Sequence, residues 1–457
     1  MDGDEVEAAL RVLGEIRALP VDDPVRQRVQ RAVDGLIKDA QRQRRANRRR
    51  ATVAADREVV AGAATGAVDR PDAVPVVTPP EAPSIMGGIG HTRRERRCYA
   101  CRDRFRTVDA FYHALCSACA ELHRRHRDAG TDLRGRRAVV TGGRVKIGYQ
   151  VALKLLRDGA DVTVVTRFPA DAARRYAREP DAATWLASLR VIGADLRDPR
   201  QVLDLAERLA ENGRRLDILV NNAAQTVRRP AWAYQPLVTG ELVAAPTPVP
   251  VESVTGYRPG ATSPGWSEAL ADIADVPGGR ELASVTDATG ALVVPGVLNS
   301  WNTRIGEVDP VELLEVQLVN VVAPFLLVDR LRPALTAPGP GRRYVVNVTG
   351  REGWFGEDGE GPARHPHTSV SKAALNMLTR VGATDLARHR VYMCGVDTGW
   401  ITDENPAVVK ERRAARGWRP PLDVVDAAAR IYHPIVRGEG GAPLHGVLLK
   451  NYAVVPW

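Results

Sequence analysis

Four cysteines stand as two C-x2-C pairs, Cys98/Cys101 and Cys116/Cys119, in CYACRDRFRTVDAFYHALCSAC, with fourteen residues between the pairs. Two such knuckles bring two thiolates each to one ion, and four sulfurs close the tetrahedron of a structural zinc site. Disulfides and buried free thiols are the competing readings, the first disfavoured in a reducing interior. A redox role is a further one, although neither pair follows a strand in a βαβ unit. His113, His123 and His126 lie close by, but four thiolates already saturate the ion. A second group is the Gly-rich turn TGGRVKIG (141–148), set between RRAVV and YQVALKLLRDGA. A turn from strand to helix points backbone N–H groups and the positive helix end at a phosphate. The third is HPHTSVSKAALNML (365–378), where Thr368 and His365 precede Lys372 by four and seven residues. In a helix these three share a face, and His367 points about a quarter-turn aside.

The elements that must position these groups change along the chain. Apolar residues recur at helical spacing through Val6, Leu10, Leu13 and Ile16, and again from Val25 to Ile37, giving two amphipathic helices in a segment over 1–59. The second runs into QRQRRANRRR, a basic block of the kind that touches nucleic acid or an acidic partner, although a solvated helix end is the preferred reading; without interleaved aromatics it is a poor single-strand binder. Residues 60–84, rich in Ala, Val, Pro and Gly, read as a linker, and 85–130 as the four-cysteine module, with a core separate from that of the C-terminal domain. From 131 to 457 the pattern alternates strand and helix: RRAVVTGG, ADVTVVTR, LRVIGAD, DILVNNAA, RRYVVNVTG and YMCGVDTG are six short apolar runs. That is an α/β chain with a doubly wound, Rossmann-like parallel sheet. Residues 228–312, full of Pro and Gly, interrupt it after the fourth strand and are expected to stay off the sheet as decoration.

At 457 residues and 44% hydrophobic content the chain can bury a sizeable core. Residues 1–137 hold 27 Lys+Arg against 20 Asp+Glu, most of the net charge of +9. Lysine is scarce: only Lys38, Lys146, Lys154, Lys372, Lys410 and Lys450 occur, so each is a less accidental choice than usual. The acidic start MDGDEVEAAL lacks a signal peptide's basic start and apolar run, and no stretch of about 18 apolar residues runs unbroken. A cytoplasmic protein with no membrane span is expected.

The turn, the strand–helix alternation, Asp195 after the third run and NNAA (221–224) after the fourth together resemble the short-chain dehydrogenase/reductase family. The resemblance runs from about Leu133 to the C-terminus apart from the insertion. It implies a T-G-x3-G-x-G turn on Thr141, Gly142, Lys146 and Gly148, enclosing Arg144 and Ile147, with lysine in place of the middle glycine. It gives Asp195 to the adenine ring, Asn222 and Ala223 to the cofactor wall, and Thr402 to the nicotinamide amide; the family's P-G becomes Thr398-Gly399. Cofactor choice follows from charge. An NAD site usually ends its second strand in an acid, whereas a 2′-phosphate needs cations. Here that strand ends in Thr166-Arg167, and Arg144 and Lys146 add two more charges, so NADP(H) is expected over NAD.

The resemblance also implies a catalytic set of Lys372 and Asn320, but its serine position is Gly350, with Thr349 one earlier, and its tyrosine position is Thr368. An aliphatic hydroxyl is far less acidic than a phenol of pKa about 10, so another group must move the proton. His365 and His367 are the substitutes, since histidine titrates near neutrality. His365 is preferred because the related enoyl reductases place their tyrosine seven before the lysine. Glu352 is a further acid or base. The reading is an NADP(H)-dependent oxidoreductase acting on a carbonyl, alcohol or unsaturated small molecule. Its alternative is an inactive nucleotide-binding pseudoenzyme that meets a protein partner through the zinc module and insertion; a homo-oligomer is expected and nucleic acid is not. The insertion should wall the substrate side, with Trp232, Tyr234, Trp266 and Trp301 lining it or forming a small core of their own.

Overall fold

The computed structural model describes residues 2–71, 74–76, 88–243, 247–260, 285–286, 290, 292–293, 299–355 and 364–457. Trp266 and parts of the 60–84 linker lie outside them. The two N-terminal helices are Gly3–Ala18 and Pro24–Ala61, the second 38 residues long. An antiparallel hairpin of β1 (Gly90–Arg97) and β2 (Arg104–Val108) comes next, then the helix Ser117–Arg127.

The main sheet contains all six anticipated runs: β3 (Arg137–Thr141), β4 (Asp161–Thr166), β5 (Leu189–Gly193), β6 (Ile218–Asn221), β10 (Arg343–Thr349) and β11 (Val391–Asp397). They pair in parallel in the order β11-β10-β6-β3-β4-β5. Helices cover both faces, so the strands are buried on both sides and read as continuous apolar runs; every residue of β10 is buried. The strand order reverses between β3 and β6, which opens a crevice at the carboxyl ends of the strands where ligands of such sheets bind.

Three features depart from the sequence reading. The insertion does not stay off the sheet: its β7 (Val251–Ser253) adds a parallel edge strand beside β5, while β8 (Val285–Thr286) and β9 (Leu292–Val293) form a separate antiparallel pair. The opposite edge gains β12 (Leu448–Lys450) and the antiparallel β13 (Ala453–Val455), too short to announce themselves by periodicity. The cysteine module does not have its own core. Cys98, Tyr112, Leu115 and Ala120 pack in one cluster with Ile401, Leu422 and Ala427 of the α/β domain and with Ile147 of the Gly-rich turn.

The linker is likewise tied down in its described part: Arg70 donates to the carbonyl of Leu422 at 2.6 Å, and Asp423 accepts the N–H of Val76 at 2.7 Å. Pro310–Arg330, 21 residues, is the one described helical stretch long and apolar enough to cross a membrane by length and composition. Half of that stretch is buried inside the domain, which is how a core helix meets the same test.

Candidate functional site

The crevice holds a cavity of about 390 Å³ whose wall includes Gly142, Lys146, Arg167, Asp195, Asn222 and Glu404. The Gly-rich turn is locked to the end of β6. Asn222 Nδ2 donates to the carbonyls of Thr141 at 2.9 Å and Gly142 at 3.2 Å, and Thr141 Oγ1 accepts the N–H groups of Asn222 and Ala223. Thr141 therefore shapes the site from behind the wall, while Asn222 both braces the turn and lines the cavity. Gly148 is required by that closeness, since a Cβ there would sit 2.3 Å from Asn222 Nδ2. Lys146 occupies the family's middle-glycine position and keeps a glycine-like backbone, at φ +54°. Left-handed backbone costs a non-glycine residue roughly 1–2 kcal/mol. Lys146→Gly is therefore expected to leave the melting temperature unchanged or higher while weakening nucleotide binding about tenfold. A binding titration beside a thermal melt checks it.

The three anticipated cations are distributed unequally. Arg144 is buried and donates to Asp171 at 2.7 Å, and Lys146 Nζ lies 3.6 Å from Glu404. Lys146 in turn holds the Glu404 carboxyl down at about 2. Arg167 makes no ion pair within 4 Å among the described residues; its guanidinium lies over the Tyr234 ring, 4.9 Å from the centroid. Asp195 is engaged by Arg197, whose Nη2 is 2.6 Å from Oδ2, so the expected adenine acceptor is already half of an ion pair. Arg197 also reaches Glu315 at 3.1 Å. Thr402 Oγ1 donates to Glu404 at 2.8 Å and is thus one step behind the wall.

The catalytic candidates gather on the helix Pro366–Ala387 and its neighbours. Asn320 lies in a π-helical turn, Leu318–Val322, a rare form that recurs at functional sites. It holds the backbone of Gln225 at both ends, accepting from N–H at 2.8 Å and donating to the carbonyl at 3.0 Å, and donates to Ser371 Oγ at 3.0 Å. Lys372 is buried, and Nζ donates to the Val348 carbonyl at 2.8 Å. Burial pulls its pKa down to about 8, against the opposing pull of Glu352. Burial raises the Glu352 carboxyl, with Asp397 adding to the shift and Lys372 opposing it.

Thr368 is buried with no partner for Oγ1 among the described residues. His365 is not in the helix but caps it in a left-handed conformation, φ +45°, because Pro366 follows and begins the helix. Its ring stacks on Trp301, centroids 4.1 Å apart, and burial drops its pKa to about 4. The two-turn helical spacing to Lys372 thus does not apply to it. His367 is buried on the side facing Glu312, with Nε2 3.9 Å from Oε1. Neither histidine, nor Thr368, nor Lys372 is on the wall of the cavity.

The four cysteine sulfurs lie within 4.8 Å of one another, with Cys101 and Cys116 at 3.7 Å. Tetrahedral zinc with bonds of about 2.3 Å sets its sulfurs about 3.8 Å apart, so the donor set fits that ion. The N–H of Cys116 donates to Cys98 Sγ at 3.3 Å, a bond that favours the thiolate.

Sequence reasoning missed Arg197, Glu315, Glu404, Glu312 and the Trp301 contact, and only a three-dimensional register shows them. Trp232 and Tyr234 sit in the turn Ala231–Tyr234; Tyr234 lines the cavity against Arg167, and Trp232 is not on its wall. Residues 136–238 match the short chain dehydrogenase family. The chain is 30% identical to the uncharacterized protein R665 of Acanthamoeba polyphaga mimivirus over 363 residues, 74% of this chain and 71% of that protein. It is 40% identical to the short chain dehydrogenase/reductase dpchH of Colletotrichum higginsianum over 94 residues, 20% of this chain and 23% of that protein. A Pseudomonas aeruginosa RhlG/NADP active-site complex superposes with a TM-score of 0.44 at 21% identity, covering 70% of this chain and 95% of that one.

Proposed function

We propose, on the premise that this chain belongs to the short-chain dehydrogenase/reductase family, that it is an NADP(H)-dependent oxidoreductase whose proton passes through Lys372. NADP(H), when bound, supplies or accepts the hydride. The chain's own part is to hold the nucleotide and to move one proton at the substrate oxygen. Arg167 carries the cofactor preference: it ends β4 as a guanidinium without a carboxylate partner within 4 Å among the described residues, where an NAD site would present an acid. Arg167→Asp is expected to shift the NADPH-to-NADH affinity ratio by about a hundredfold towards NADH, through repulsion of the 2′-phosphate. Equal affinity of the unmodified protein for both cofactors would sink this assignment.

The proton assignment rests on one observation: a buried amine, at the position where the family keeps lysine, titrates near 8 beside a carboxyl raised by burial. Such an ammonium is a far better acid at neutral pH than an ordinary lysine. In carbonyl reduction it donates its proton to the nascent alkoxide oxygen, where it stays in the alcohol, and Glu352 passes a second proton, taken up from solvent, to the amine. His365, held neutral by burial, orients rather than protonates. The substrate class is a carbonyl, alcohol or unsaturated small molecule.

One observation favours the second reading, a nucleotide-binding pseudoenzyme: Lys372 Nζ is turned onto the Val348 carbonyl, off the cavity wall. NADPH binding by calorimetry, with no NADPH oxidation across ketones, enones and imines, would select it.

We further propose that the four thiolates hold structural zinc, one ion per chain by elemental analysis. The chain self-associates through the helical stretch Pro310–Arg330 and the helix Pro366–Ala387 that packs on it, which expose Phe325, Val370, Met377 and Val381; light scattering reads the mass.

A further inference from the structure

The helix Pro24–Ala61 carries a feature that its own fold does not explain. Between Asp39 and Asp56 there is no carboxylate, yet six arginines stand there: Arg42, Arg44, Arg45, Arg48, Arg49 and Arg50. Every residue from 34 to 51 is exposed, so this part of the helix buries nothing against the rest of the chain. Apart from Arg42, which lies 3.6 Å from Asp39, none of the six makes an ion pair with a described residue. The arginines of the α/β domain behave differently. Even well-exposed ones such as Arg134, Arg157 and Arg200 are paired with Asp132, Asp181 and Asp198. Arg44 and Arg48, and Arg45 and Arg49, are like charges one turn apart, each pair opposing helix formation by roughly 0.2–0.5 kcal/mol. A bare solvated helix end gains nothing from such a ladder; a polyanion lying against it removes the penalty.

The surface continues onto the body of the protein. Asp56 ties the helix to β1, accepting from the Arg93 N–H at 2.6 Å and from Arg94 Nε at 2.9 Å. The Arg57 side chain lies against Gly417, where an added Cβ would sit 3.5 Å from Nε. Gly417 follows the helix Ala407–Ala415, and the exposed Arg412 and Arg416 flank this junction. Two segments distant in sequence thus meet at the contact of Arg57 with Gly417, and Arg412 and Arg416, which make no ion pair among the described residues, stand within five residues of it in the chain.

We infer that this arginine helix and the 412–416 segment form a docking surface for double-stranded nucleic acid, read through its phosphates and not its bases. Three features select the duplex. Guanidinium groups match phosphate oxygens two at a time. A helix about 10–12 Å across with its side chains fits a major groove about 12 Å wide. And the first aromatic residue of the chain is Tyr99, so the helix offers no platform on which single-stranded bases could stack.

Fluorescence anisotropy of the full-length protein with a labelled duplex DNA of about 24 base pairs and arbitrary sequence tests this. If about five arginines each neutralise one phosphate, the log–log salt slope is near −4.5, and a fourfold rise in salt weakens binding about 500-fold. Arg44, Arg45, Arg48 and Arg49 replaced together by Gln should bring the slope to about −1 and cost at least about a hundredfold in affinity at low salt. The same four replaced by Lys should retain most of the binding. Helicity should be undiminished in the Gln variant, because the repulsion is gone, and NADPH affinity unchanged. No duplex binding at low salt, binding that the Gln variant keeps, or a preference for anionic lipid vesicles or an acidic peptide over the duplex would each overturn the inference.

Discussion

Lys372→Met is expected to lower kcat/KM for NADPH-dependent carbonyl reduction by at least about a hundredfold while leaving the protein folded. The loss of turnover follows because the variant keeps the length of the side chain and removes the buried amine that interacts with Glu352. The fold should survive because the ammonium it removes was buried at a cost, with a single hydrogen bond to Val348 in return. Its pH dependence separates this role from a structural one. The folded pKa is about 8 against an ordinary 10.5, so the ammonium is present below pH 8 and is lost above it. Reduction should be level below pH 8 and fall about tenfold per unit above, and oxidation should rise through the same range. Stability has its own sign. Between about 8 and 10.5 the folded chain binds fewer protons at this group than the unfolded one, so its contribution increases as pH rises through that window. Lys372→Met should flatten both profiles. A methionine variant that keeps the parent's turnover and pH profile would remove Lys372 from the proton path and leave His365 or His367 to be tested next.

The order in which these residues became legible has physical causes. The six strands announced themselves because a sheet covered on both faces must be built from unbroken apolar runs, as RYVVNVT in β10 shows. The Gly-rich turn was legible for the same kind of local reason: Gly142 at φ +70° and the close approach of Gly148 to Asn222 are demands that few sequences meet. Lys146 was visible as an exception and turns out to adopt the backbone of the residue it replaces. Edge strands were not legible. β7 is three residues of an irregular insertion, and its pairing with β5 depends on chain closure over a long stretch, not on local pattern. Nor was the fate of His365, because seven-residue spacing has meaning only inside a helix, and a histidine followed by proline ends up as the cap. The ion-pair partners that occupy Arg144, Lys146 and Asp195 come from segments far away in the sequence or from its unpatterned loops. Charge counting alone assigns all three cations to a phosphate; geometry leaves Arg167 as the one of the three without a carboxylate partner within 4 Å among the described residues.

Removing the zinc proposed for the four-cysteine centre is expected to weaken NADPH binding by at least about tenfold and to lower the melting temperature by several degrees, although the centre contributes no residue to the cavity wall. The reason is the shared core. Tyr99, next to Cys98, accepts the N–H of Trp400 at 2.7 Å, and Ile401 packs in the same buried cluster as Cys98 and Leu115. At the next residue, Thr402 donates to Glu404, which pairs with Lys146 on the cavity wall. On the other side of the module, Arg127 donates to Asp423 at 2.8 Å and Tyr112 to Asp426 at 2.6 Å, fixing the start of the helix Val424–Glu439 that packs on the helix of the Gly-rich turn. Without a cation the crowded sulfurs take up protons and nothing draws the four together, so metal loss loosens the knuckle that carries Tyr99 first. Chelation, or Cys116→Ser, should therefore weaken NADPH and NADH alike, because the path from the cysteines runs through Trp400, Thr402 and Glu404 to Lys146 and does not include Arg167, on which the proposed cofactor preference rests. Tyr99→Phe supplies the finer test: it deletes only the bond to Trp400, and should cost a few-fold in nucleotide affinity with little change in melting temperature or metal content. Metal-free protein that binds NADPH as tightly as the parent would show that the two halves of this core, packed together, are energetically independent.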